Sequence, residues 1–277
     1  MKQKRMKQRR KILACLMSFV MMAMLAAGTF SSFAAGKVYA PVEMSIYAGN
    51  AMALKQSYQY ANKTLTVTNK SDGGGWKPAT EVAFLPANDN NALLLNLFGG
   101  VPAYALSDMI SSGKINKVVE KNYYLEWQTK SKYYLNSTNT YSFTKNGSGK
   151  VTRIVVKSVF KNGSPTETLT FNLVYLNDQL TALIETNGAQ TETFIYRYNS
   201  KNKITSMTQL GRKTTRVSYN SKGYPTSIDG TSIKCDSKGR ITRINTLATS
   251  YSYNTNGKIA KVLEEDAIGY SFSYLAL

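Results

Sequence analysis

The residues that usually carry acid–base and metal chemistry are nearly missing from this chain. Its 277 residues contain no histidine and two cysteines, Cys15 and Cys235. Without imidazole as base or ligand, Ser-His-Asp and Cys-His nucleophile activation, the HExxH motif and most zinc sites are excluded. Cys235 lacks the base a nucleophile needs and reads as a small buried hydrophobe. Carboxylates remain. Glycoside hydrolysis needs two on facing elements, one with a raised pKa. The one acidic cluster, Glu264-Glu265-Asp266, falls in an expected loop, where adjacent side chains diverge and more often solubilise a turn. Glu81, Glu120 and Glu126 are scattered through strand-like sequence with no partner identifiable. No Asp-rich loop has calcium-ligand spacing. The glycine run Ser71–Trp76, "SDGGGW", lacks the Lys and Ser/Thr of a phosphate-binding loop. No catalytic residue, metal or cofactor is therefore expected.

Tyrosine and lysine are left. The 19 tyrosines lie at strand positions, several with basic neighbours, and aromatic rings beside cations suit sugars, polyanions or single strands. The competing reading makes each such Tyr a core anchor and each lysine a guard against edge pairing. Between Lys201 and Lys261 there are twelve basic and two acidic residues, so the excess charge is concentrated there. The candidate binding residues are the cations Lys201, Lys203, Lys222, Lys238, Arg240 and Lys258, with the aromatics Tyr198, Tyr219 and Tyr253.

The elements that must position them repeat. "YNSKGYPTSI" (219–228), "CDSKGRITRI" (235–244) and "YNTNGKIAKV" (253–262) share one grammar. An alternating strand ends in an aromatic residue or Cys, followed by Asn or Asp, two polar residues, Gly, and a second alternating strand. Asn or Asp can bond backbone groups two residues on, and Gly supplies positive φ, so each unit predicts a β-hairpin. Tyr198–Thr205 has Asn202 in the Gly slot; Tyr175–Thr181 and Phe143–Ile154 are looser copies. Anchors at 175, 198, 219, 235 and 253 lie 16 to 23 residues apart, a spacing typical of repeat architectures.

These phrases resemble degenerate YD repeats, the Tyr-Asp-x-x-Gly-Arg pattern of RHS and teneurin-type shells, and are similar to short hairpin arrays in uncharacterised secreted bacterial proteins. The resemblance spans roughly 141–277. Asp stands in the second slot only at Asp236, with Asn at 199, 220 and 254. The resemblance implies a rolled or stacked antiparallel sheet with too few copies to enclose a cargo, and it implies no activity.

The chain opens with seven basic residues among its first eleven and then runs apolar from Ile12 to Ala27. That is the pattern of a secretory signal peptide over 1–35, too short in its apolar core for a spanning helix of ~20 residues. Removing those seven from 35 basic residues leaves 28 against 16 acidic, a net +12. Cys235 is then the mature chain's sole cysteine, which precludes an intrachain disulfide, so stability must come from an ordinary core. The region 36–140 is expected to be β-rich with one helix near 102–113, where Pro102 suits the first turn and Gly113 the exit. The repeats fill 141–277, and the lack of any linker favours one continuous domain over 36–277.

The fold class expected is mainly β, an antiparallel meander of tandem hairpins with that one helix. The function expected is a secreted, non-enzymatic module of the periplasm, cell surface or exterior, whose basic rim contacts an anionic glycan or envelope polymer. A protein–protein scaffold and a carbohydrate-active enzyme are the alternatives. Export disfavours nucleic acid as partner, and no stable membrane span should remain after cleavage.

Overall fold

The computed structural model describes residues 39–48, 51–71, 90–101, 113–125, 132–263 and 268–276. The expected signal peptide (1–35) and residues 102–112 of the helix expected near 102–113 lie outside these residues, as does the acidic run 264–266; Gly113 is in a turn. The first nine strands are β1 (Tyr39–Ala48), β2 (Ala51–Ala61), β3 (Thr64–Ser71), β4 (Lys117–Leu125), β5 (Tyr133–Lys145), β6 (Val151–Phe160), β7 (Glu167–Leu176), β8 (Gln179–Asn187) and β9 (Gln190–Tyr198). Eight follow: β10 (Ile204–Gln209), β11 (Thr214–Tyr219), β12 (Pro225–Ile228), β13 (Thr231–Cys235), β14 (Ile241–Ile244), β15 (Thr249–Tyr253), β16 (Ile259–Leu263) and β17 (Ile268–Ala276). One α-helix is described, α1 (Asn90–Gly99), with a single 3-10 turn at Asn245–Leu247.

The seventeen strands form one mainly antiparallel sheet, each hydrogen-bonded to its neighbours in sequence. The sheet is rolled, so that β17 lies against β1 from Tyr39↔Ala276 to Ala48↔Ile268 while β1 also pairs with β2. Every described strand thus has partners on two sides, and none presents a bare edge for another chain to extend. The one exception to the meander is β3–β4, which pair in parallel from Thr64↔Lys117 to Ser71↔Tyr124. A parallel pair needs a crossover, and the segment between these strands carries α1.

Strand alternation sends one face inward. Leu65, Val67, Val118, Ile154, Phe171, Leu183, Phe194, Ile204, Ile241 and Ile259 all belong to a single buried core. Helix α1 fills part of this interior against β9 and β10, with Leu93, Leu94, Leu95 and Leu97 all buried. Leucines on several faces of a helix place it inside. Its exit is tight: the Tyr196 hydroxyl donates to the Gly99 carbonyl. A Cβ at Gly100 (φ +66°) would stand 2.4 Å from the Phe194 ring.

Candidate functional site

Because consecutive strands from β4 to β17 alternate in direction, the β5–β6, β7–β8, β9–β10, β11–β12, β13–β14 and β15–β16 turns all fall at one end of the sheet. The repeat phrases are these turns. In each full copy the anchor's successor closes the turn by two backbone bonds, as Asp236 N–H to Arg240 O and Gly239 N–H to Asp236 O, both 2.9 Å. The side-chain oxygen then accepts from backbone N–H groups two and four residues on: Asn199 from Lys201 and Lys203, Asp236 from Lys238 and Arg240, Asn254 from Asn256 and Lys258. Asn202 takes φ +56° where Gly239 and Gly257 take +78° and +76°. Asn thus serves in the left-handed slot, as the sequence suggested.

The anchors form a ladder between repeats. Tyr175 Oη donates to Val151 O (3.1 Å), Tyr198 to Leu180 O (2.8 Å), Tyr219 to Ile204 O (2.7 Å) and Tyr253 to Ile241 O (2.7 Å). Each hydroxyl reaches the first or second strand residue after the preceding repeat's turn. In the Cys copy the Cys235 thiol makes the same contact at 3.5 Å, to Pro225 O. Burial, reinforced by the charge of Asp236, pushes that thiol up to about 11, so it stays protonated.

Helix α1 grips the same turns from inside. Asn90 Nδ2 donates to Gly239 O (2.7 Å) and Asn90 Oδ1 accepts from Ile241 N–H (3.1 Å). Asn91 does likewise at the equivalent positions 37 residues earlier, Asn202 O (2.7 Å) and Ile204 N–H (3.1 Å). Nothing in the turn grammar predicted this pair. Two adjacent Asn immediately before an apolar run were its only signal.

The six predicted cations all stand in or beside these turns, on one rim. Lys201, Lys222 and Lys238 are exposed and, among the described residues, enter no ion pair. Lys203 and Lys258 are half-buried. Arg240 is tied down: its Nη2 and Nε each lie 2.7 Å from Asp236 Oδ2, and its guanidinium sits 4.3 Å from the Tyr253 ring centroid. Burial alone would raise the Asp236 carboxyl, but hydrogen bonds and charge from Arg240 outweigh it and hold the group below its usual value. Tyr198, Tyr219 and Tyr253 line up beneath this rim with rings half-buried and hydroxyls engaged in the ladder.

Of the scattered carboxylates, Glu81 and Glu126 lie outside the described residues, whereas Glu120 acquires neighbours, as do Glu185 and Glu192, which the sequence did not single out. Glu185 and Glu192 lie directly opposite each other on β8 and β9. Gln209 Nε2 donates to Glu192 at 2.8 Å and Arg212 lies 3.7 Å away. Burial, with the Glu192 charge opposite, pushes Glu185 up to about 7. Glu120 is fully buried on the inner face of β4, among Asn69, Asn122, Ser137 and Asn139. Among the described residues no group of three or more His, Cys, Asp or Glu side chains could hold a metal ion, and no helix is long and apolar enough to cross a membrane.

The fold is thus a repeat-built structural module of tandem β-hairpins. The family model "Teneurin YD-shell" matches residues 105–277, more than half of the chain, and the chain belongs to that family. No match was found among curated proteins. A porin-like protein from Bacteroides uniformis is 12% identical with a TM-score of 0.29, over 57% of this chain and 96% of that one. That likeness is too slight to bear on function.

Proposed function

We propose that this chain is an exported, non-enzymatic YD-repeat module of the cell envelope or exterior, and that its turn rim binds an anionic polymer such as an acidic glycan. The observation that carries the proposal is the meander itself, which gathers Lys201, Lys203, Lys222, Lys238, Arg240 and Lys258 at one end. The basic leader supports export. Like charges held together on a rigid scaffold raise the local concentration of a polyanion and lose that effect in salt. The three exposed lysines are the contact groups. Arg240 is partly occupied by Asp236 and serves more as a brace.

The experiment titrates the chain with acidic and neutral polysaccharides at low and high salt. Binding confined to the acidic polymers and lost at high salt is expected. Changing Lys201, Lys222 and Lys238 together to Gln should weaken it by about tenfold or more. Equal binding by that variant would refute the rim. A second reading, docking to a folded protein, is favoured by a row on the outer face. Val174, Ala182 and Ile195 lie in register across β7–β9, with Val174 45% and Ile195 37% exposed. Salt-insensitive binding of a protein partner, lost when Val174 and Ile195 become Ser, would favour it.

A further inference from the structure

The end of the sheet away from the basic rim is polar inside. Two successive rows of inward side chains cross there, the first over β2–β5 and the second over β2–β6. One runs Gln56, Asn69, Asn122, Ser137; the other runs Tyr58, Val67, Glu120, Asn139, Ser158. Gln56, Glu120 and Asn139 have no exposed surface. The Glu120 carboxyl accepts from Asn69 Nδ2 (2.5 Å), Asn139 Nδ2 (2.8 Å) and Tyr141 Oη (3.1 Å). All three donors are neutral.

The charged groups of the elements packed against β4 face elsewhere. On β3, Lys70 follows Asn69 and so points outward, its ammonium 5.2 Å from the Tyr133 ring centroid. On β5, Lys145 sits at the far end of the strand. On β4 itself, Lys117 and Lys121 alternate outward. The titratable groups on the inner face around Glu120 are the phenols of Tyr58, Tyr60 and Tyr141. Among the described residues, no ion pair includes Glu120.

An ionised carboxylate sealed among Leu65, Val67 and Val118 without a cation is costly, whereas the neutral acid needs only hydrogen bonds. The amides fit the neutral acid. Asn69 Oδ1 and Asn139 Oδ1 are buried without a partner, on the same two amides whose NH2 groups face Glu120. Asn69 Nδ2 also donates to Asn122 Oδ1 at 2.6 Å, so Asn139 is the amide whose turning over exchanges nitrogen for oxygen and offers an acceptor to a carboxyl O–H.

We propose that Glu120 is a neutral carboxylic acid in the folded protein, and that its loss of a proton to base in solution loosens β3, β4 and β5 as a base-sensitive latch. No other bond is made or broken. Burial pushes this group up to about 8, above its unfolded value. Stability is therefore full below the unfolded pKa and declines as pH rises toward 8. Glu120 stands opposite Val67 on β3 and Asn139 on β5, so these strands take up the change.

The test is amide hydrogen exchange on the full chain from about pH 6 to about pH 9, corrected for intrinsic rates, with expected changes of about tenfold or more. Peptides covering 64–71, 117–125 and 133–145 should lose that protection in the wild type and hold it in Glu120→Gln, while β10–β16 change in neither. Wild-type protection independent of pH, or an equal loss in the Gln variant, overturns the proposal. Should Glu120→Gln fail to fold, infrared spectroscopy of the wild type decides. A protonated-carboxyl band persisting at neutral pH from a solvent-sealed group supports the latch, and its absence refutes it.

Discussion

Asn91 is the single side chain whose removal best tests how α1 and the repeats are joined. It is 5% exposed, and its amide makes two bonds to one turn, 2.7 Å to Asn202 O and 3.1 Å from Ile204 N–H. Asn91→Ala deletes both at once. A neutral hydrogen bond contributes ~1 kcal/mol net, and a buried backbone group left without a partner costs ~1–3 kcal/mol. Ile204 is fully buried, so water cannot readily replace the lost acceptor. The expected loss is about 2–4 kcal/mol, a large share of the ~5–15 kcal/mol that holds a domain folded. Asn90 makes the matching pair of bonds but is only half-buried, so Asn90→Ala should cost about 1–2 kcal/mol. Asn91→Asp keeps the acceptor but sets a carboxylate against the Asn202 carbonyl, and should be no better than Ala. Urea unfolding of wild type and the three variants, compared at equal slope, measures all of this. A change for Asn91→Ala within ~0.5 kcal/mol of zero, or Asn90→Ala costing more, would refute the clamp.

Tyr253→Phe removes the hydroxyl that bonds Ile241 O but keeps the ring under Arg240; thermal unfolding should show a loss of about 1 kcal/mol. Because Glu185 is raised to about 7 by burial and by Glu192, the folded state holds a proton the unfolded chain gives up, and stability falls as pH climbs from the ordinary carboxyl range through 7. Glu185→Gln should flatten that decline and, allowing for solvent screening, gain about 1–2 kcal/mol at neutral pH. Melting curves of both proteins at pH values across that range measure it, and equal slopes would count against the paired-carboxylate account.

The turns were legible because their chemistry is local. Asn or Asp accepts from backbone two residues on, Gly or Asn takes the left-handed slot, and the aromatic anchor recurs at a countable interval. The rim cations were legible for the same reason, since they stand beside those turns. Helix α1 was not, because the leucines of "NALLLNLF" fall on several faces and carry no clear helical period; it read as core without a shape. The parallel β3–β4 pairing joins segments about fifty residues apart, and nothing near either strand announces it. Glu120 shares a face with Val118 and Asn122 by simple alternation, but its seclusion depends on β3 and β5 closing over it. Glu185 and Glu192 could have been paired by counting outward from the Gly188–Ala189 turn.

The ladder of hydroxyls has one weak rung. Where other copies offer a tyrosine, Cys235 offers a thiol 3.5 Å from Pro225 O, a longer and softer bond. Pro225 also lacks the N–H that Ile204 and Ile241 give to α1 in their own copies. Strands β12, β13 and β14, with four, five and four residues, span this same stretch. The wall is therefore scored along one line. Pulled or heated, it should tear there first, leaving two stiffer plates, β1–β11 and β15–β17, still joined through β1 and β17.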